Sequence, residues 1–238
     1  VRVYAYPDAA SLQEALLFSR GSIGGITFPE YRIVAISASP GRLDAGSRVL
    51  THELAHVLVH QATFGCFSMV PVWLNEGIAT YIEGRRLGPT HQTVLAEALE
   101  QERLFSIRSI SRGFPHSGAE VSLAYAQGAS LVQFLVERYG AQAMRELLAA
   151  IQEGLSQDEA LLRVYRFDTE GLEKRWRAYL QGQELERPGP QFRLLGCALG
   201  RSQGFARGSG STSLLPTSAL PLLPLLGSLM AYRWRRRS

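Results

Sequence analysis

The sequence predicts an α+β fold: a small N-terminal strand-and-helix region, then a mainly helical domain, then one transmembrane helix at the C-terminus. Three observations carry this. Runs with strand character fall only before residue 45. From there to about residue 180, apolar residues recur at helical spacing. Residues 214–232 then carry no charge over 19 positions, close to the ~20 needed to span a bilayer as a helix.

Residues 1–6 alternate as a strand, with Val1, Val3 and Ala5 on one face. Residues 8–19 space Leu12, Ala15 and Leu16 for one side of a short helix. Gly21, Gly24 and Gly25 mark a loop. Residues 31–37 are rich in β-branched side chains and form a strand that Pro40 and Gly41 end. Helices are then expected over 45–63, 72–85, 90–102 and 120–139, the last stopped by Gly140. Another follows over 141–152. Ser156 and Glu159 fit a capping box before a helix at 161–165, and Asp168 can cap 169–180.

The expected organisation is therefore 1–44 as an N-terminal α/β part, 45–182 as the helical part, and 183–212 as a flexible linker marked by Pro188, Gly189 and Pro190. Residues 213–232 form the transmembrane segment and 233–238 a basic tail.

Composition narrows the function. The chain is 46% hydrophobic and 19% charged, as in a globular domain. Its net charge is +4, but Arg233, Arg235, Arg236 and Arg237 supply all four charges, which leaves a neutral body. A neutral body lacks the basic face that nucleic-acid binding needs, so no nucleic-acid partner is expected. Cys66 and Cys197 fit neither a zinc-knuckle spacing nor a redox pair; the sequence leaves open whether they bond to each other.

The chemistry concentrates at residues 52–56, which read His-Glu-Leu-Ala-His. Positions i and i+4 share a helix face, so both imidazoles can hold one ion. Glu53 then points at a water on that ion. Zinc suits two nitrogens and one carboxylate, with a fourth position left open. With five His in 238 residues, chance produces such a motif less than about 1% of the time. Val49, Leu50, Leu54, Val57 and Leu58 make an apolar stripe that would bury this helix. The third ligand must come from elsewhere. Glu76, 20 positions after His56, is a candidate; by spacing alone it could equally be an exposed helical carboxylate, as Glu83 is taken to be. His60, His91 and His116 receive no role.

HELAHVLVH followed by WLNEGIATYIEG resembles the gluzincin zinc metallopeptidases, and above all the peptidase MA-like domains related to thermolysin and the alanyl aminopeptidases. The resemblance covers roughly residues 1–180. It implies a zincin-like fold, one zinc per chain held by His52, His56 and Glu76, and Glu53 as general base. SLAYAQGASLVQFL (122–135) resembles the aminopeptidase stretch whose Tyr stabilises the oxyanion, which implies that role for Tyr125. It also implies that strand 31–37 is the sheet edge lining the cleft, where a peptide substrate could pair; read from its residues alone, the strand fits an ordinary core strand equally well. Two departures stand out. GGITFPE (24–30) is not the amine-gripping Gly-Ala-Met-Glu-Asn segment of the aminopeptidases, so aminopeptidase action is not implied. Thr80 stands where thermolysin carries the Asp that orients a ligand His.

The expected function is zinc-dependent hydrolysis of peptide bonds in a peptide or protein substrate. The alternative is a membrane-tethered zinc-binding module with the same fold and little turnover. The uncharged segment with Arg after it implies a single-pass protein of the cell membrane, its catalytic domain outside the cytoplasm and its leader removed or upstream of Val1. A cleaved sorting tail would share these features.

Overall fold

The computed structural model describes residues 1–16, 24–65, 69–84, 87–116 and 118–183. The expected linker beyond Gln183, the transmembrane segment, the basic tail and both cysteines lie outside these residues. Among the described residues no helix is long and apolar enough to cross a membrane.

The N-terminal part is a three-stranded sheet. Strand β1 (Arg2–Tyr6) pairs parallel with β3 (Ile33–Ser37), and β2 (Gly25–Phe28) pairs antiparallel with the other side of β3. Two expectations change here. The strand expected over 31–37 is shorter, because Pro29–Tyr31 form a 3-10 turn, and of the two places open to it, sheet edge and core, it takes the centre, against the edge that the resemblance implied. Val34, Ala35 and Ile36 are all buried, as a strand flanked and covered on both sides requires. The edge beside the helical part is β2, in a stretch that Gly24 and Gly25 had marked as loop. These glycines serve a close approach instead. A Cβ on Gly24 would lie 3.3 Å from a Val49 methyl, and one on Gly25 only 2.8 Å from another.

Helix α1 (Ala9–Ala15) starts where Asp8 accepts from the Ser11 N–H and buries Leu12; it is shorter than the expected 8–19. Helix α2 (Leu43–Thr63) lays Val49, Leu50, Leu54 and Val57 against Val34 and Ile36 to form a small core. Leu58, expected in the same stripe, sits at its outer margin and is 61% exposed.

A second and larger core belongs to the helices. It gathers side chains of α3 (Val72–Gly84), α4 (Pro89–Glu100), α5 (Ile107–Arg112), α6 (Ala119–Gln152), α7 (Gln157–Tyr165) and α8 (Thr169–Leu180). Trp73, Phe134, Tyr165 and Trp176 are fully buried in it. Helices α3 and α6 cross at Gly77 and Gly128, backbone against backbone. As expected, Gly140 interrupts α6: its φ of 85° and ψ of 161° are not helical, and the positive φ favours glycine. The capping box at Ser156 and Glu159 is complete, and it starts α7 at Gln157 rather than 161. Asp168 caps α8 by accepting from the Gly171 N–H.

Asp158 ties three of these helices together. Its Oδ1 accepts from the backbone N–H and the hydroxyl of buried Thr169, and its Oδ2 takes a 3.1 Å bond from Arg108. The Thr169 hydroxyl bond, ahead of the opposing effect of burial, holds this carboxyl below its ordinary value of 3.8. A lowered folded pKa means that the carboxylate contributes its full stability above the unfolded value. That contribution is lost as pH falls through the folded one. Asp158→Asn should therefore lose about 1 kcal/mol near neutrality and show a shallower loss of stability below about pH 4, read by denaturant unfolding across pH.

Candidate metal centre

Helix α2 is held by its apolar side, so its other side turns His52 and His56 together toward α3. Their rings stand 4.9 Å apart and nearly perpendicular. Helix α3 packs on α2 and brings Glu76 between them, its Oε2 3.6 Å from His52 Nε2 and 3.7 Å from His56 Nε2. The three donor atoms all lie within 4.8 Å of one another. A tetrahedral zinc with bonds of ~2.0–2.1 Å needs donors about 3.3–3.4 Å apart, a spacing that the two carboxylate–imidazole distances approach.

The outer nitrogens support the same arrangement. His52 Nδ1 lies 3.2 Å from Glu83 Oε2, and His56 Nδ1 lies 3.1 Å from Asn75 Oδ1. A proton on each Nδ1 would be donated to these oxygens and leave both Nε2 atoms free for an ion, the arrangement that metal-binding histidines use. Glu83 is thus not the free surface carboxylate expected. It lies seven residues after Glu76, two helical turns along the same face, and that spacing was the available signal. Thr80, one turn before, does not take this part: it is buried with its hydroxyl unpaired.

Charge follows geometry. Burial alone would lower the His52 imidazole, but the hydrogen bonds that it donates to Glu76 and Glu83 and the charges of Glu76 and Glu53 raise it to about 9. Burial works against the Glu76 carboxylate, and the two histidines more than offset it, so its pKa is lowered.

Glu53 is 8% exposed and lies outside the donor group. The Thr27 hydroxyl donates to its Oε2 at 2.6 Å and lies 2.9 Å from its backbone oxygen. Tyr125 reaches the site from α6, its ring 6.4 Å from that of His52 and edge-on to Phe114 at 5.1 Å. Burial first, then the charge and hydrogen bond of Glu76, push its phenol up to about 12. Tyr125 therefore keeps its proton and remains a donor. Glu53, Tyr125 and the three donors line one open cavity of about 340 Å³, with Gly25 and Thr27 of β2 as its other wall.

A family model of the peptidase MA superfamily matches residues 1–182. The chain belongs to the peptidase MA superfamily. No curated protein and no solved structure matched it. In this peptidase MA domain, His52, His56 and Glu76 could hold a metal ion. The resemblance carried by HELAH and WLNEG agrees with the family match, whereas Thr27 and Glu83 were not foreseen. Glu83→Ala should lower zinc affinity about 10–100-fold while leaving the thermal melt of the metal-free chain nearly unchanged, measured by competition with a chromogenic chelator.

Proposed function

We propose that this domain is a zinc-dependent metallopeptidase in which His52, His56 and Glu76 hold the ion and Glu53 is the general base. One observation carries this reading: a buried carboxylate that is not part of the donor group shares an open cavity with that group and with a protonated phenol. Bound zinc would supply Lewis-acid polarisation of the scissile carbonyl and of the attacking water. Glu53 takes the water proton and delivers it to the leaving amine. Tyr125 donates to the oxygen on which negative charge develops. Among the described residues the outer side of β2 has no partner strand, and a peptide backbone can pair there beside the site.

Digestion of a peptide library by the purified chain tests the proposal. Cleavage should occur, stop with a chelator and return with zinc, at about one zinc per chain by elemental analysis. A chain that binds zinc and cleaves nothing would overturn it and favour a binding module instead. The uncharged segment 213–232 and the Arg-rich tail support an anchored protein with this domain outside the cytoplasm. Finding the domain in the cytosolic fraction would refute that placement.

A further inference from the structure

Successive residues of a strand point to opposite faces, so Gly25 and Thr27 of β2 share a face. Both meet the same side chain, Glu53. A Cβ on Gly25 would lie 2.8 Å from Glu53 Cγ and 2.9 Å from its Oε1, so only a glycine leaves room for the carboxylate where it stands. Two residues on, the Thr27 hydroxyl donates to Oε2 at 2.6 Å. The same hydroxyl is 2.9 Å from the Glu53 backbone oxygen, so both acceptors within its reach belong to Glu53. One carboxylate oxygen is tethered and the other lies against bare backbone.

We propose that Thr27 is a positioning residue for Glu53: its hydroxyl pins Oε2, leaves Oε1 to receive the proton, and ties the base to the strand on which a substrate backbone would lie. The inference rests on the peptidase reading and adds to it a residue that touches neither the ion nor the scissile bond. The physical reason is orientation. A Glu side chain has three rotatable bonds, and a charge-assisted hydrogen bond fixes the outermost of them. A misplacement of about 1 Å at a reacting group can lower a rate about 10²-fold. Because Thr27 belongs to a strand whose outer side is unpaired among the described residues, a peptide in register with β2 is also in register with the base.

The test compares Thr27→Val, which keeps the shape and loses the hydroxyl, with Thr27→Ser, which keeps the hydroxyl. Thr27→Ala stands in if the valine chain does not fold. All are zinc-loaded full chains, measured for kcat and KM on one peptide substrate, for zinc content, and for binding of acetohydroxamate by calorimetry. That probe binds zinc and shares a proton with a neighbouring carboxylate, so it reports on Glu53 without turnover. Thr27→Val should lose about 10–100-fold in kcat and about tenfold in hydroxamate affinity, with zinc content kept and KM changed less than about threefold. Thr27→Ser should recover to within about threefold of the parent. Parent-like kcat and hydroxamate affinity in Thr27→Val would overturn the proposal. So would a serine chain as impaired as the valine one, or a loss that falls on KM or zinc content. If the parent cleaves no peptide, the peptidase reading fails by itself. The hydroxamate comparison, with a crystal structure of Thr27→Val showing whether Glu53 has swung, then decides the role of Thr27 alone.

Discussion

Glu53→Gln is expected to keep its zinc and to lose about 10²–10⁴-fold in kcat, the range that a positioned general base supplies. The substitution is close to isosteric, and Glu53 is not among the three donor atoms that can surround an ion. Its amide oxygen can still accept from Thr27, so the side chain should stay where it is. What disappears is the ability to take a proton from water. Elemental analysis and steady-state kinetics on the same preparation separate the two properties. A fully active glutamine variant would mean that another group is the base. Loss of zinc along with activity would mean that Glu53 supports the donor group.

The second large effect is expected far from the chemistry. A Cβ on Gly77 would lie 2.4 Å from the carbonyl oxygen of Gly128 and 2.6 Å from its carbon. Both are backbone atoms of a buried helix and cannot swing aside. Alanine is the better helix former by about 1 kcal/mol, but forcing two helices apart in a packed core costs about 1–3 kcal/mol and sometimes more. The clash should win, because the reverse contact is also tight: a Cβ on Gly128 would lie 2.9 Å from the Trp73 carbonyl oxygen. Gly77→Ala should lower the melting temperature by several degrees, at about 2–4 °C per kcal/mol for a chain of this size. It should also weaken zinc binding, since Gly77 follows Glu76 on α3. A melt at or above that of the parent would show that the crossing has slack.

The sequence made the donor pair legible because helical spacing by itself places His52 and His56 on one side of α2. Gly140 and the capping box were equally legible, since each acts through its own backbone neighbours. Glu76 needed the resemblance, because 20 intervening residues leave its approach to the tertiary fold. The sheet was read least well. Residues 33–36 form an unbroken apolar run, which is what the centre of a covered sheet demands, yet such a run by itself does not say which strands flank it. Strand β2 spans four residues and begins at a glycine, so local propensity argued for a loop; pairing with β3 overrides it. Thr27 left no signal in the sequence, and Glu83 left only its helical spacing from Glu76, for one reason. Each matters through a side chain on another element, at separations of 26 and 31 residues.

The two cores are unequal, and this bears on how the site moves. The sheet rests on α2 through a handful of side chains around Val34, Ile36 and Val57, whereas the helical core is many times more extensive. Regions with few buried apolar contacts open at lower free energy than the body they rest on. The β2 wall should therefore exchange its amide hydrogens sooner than α6. Glu76 rides on α3, which is braced by the large core, and α2 with His52 and His56 reaches that core through Val59 while its other side belongs to the small one; strand β2 sits on the small core alone. Breathing of that strand would widen the cavity from one side while α3 and Glu76 stay held by the large core.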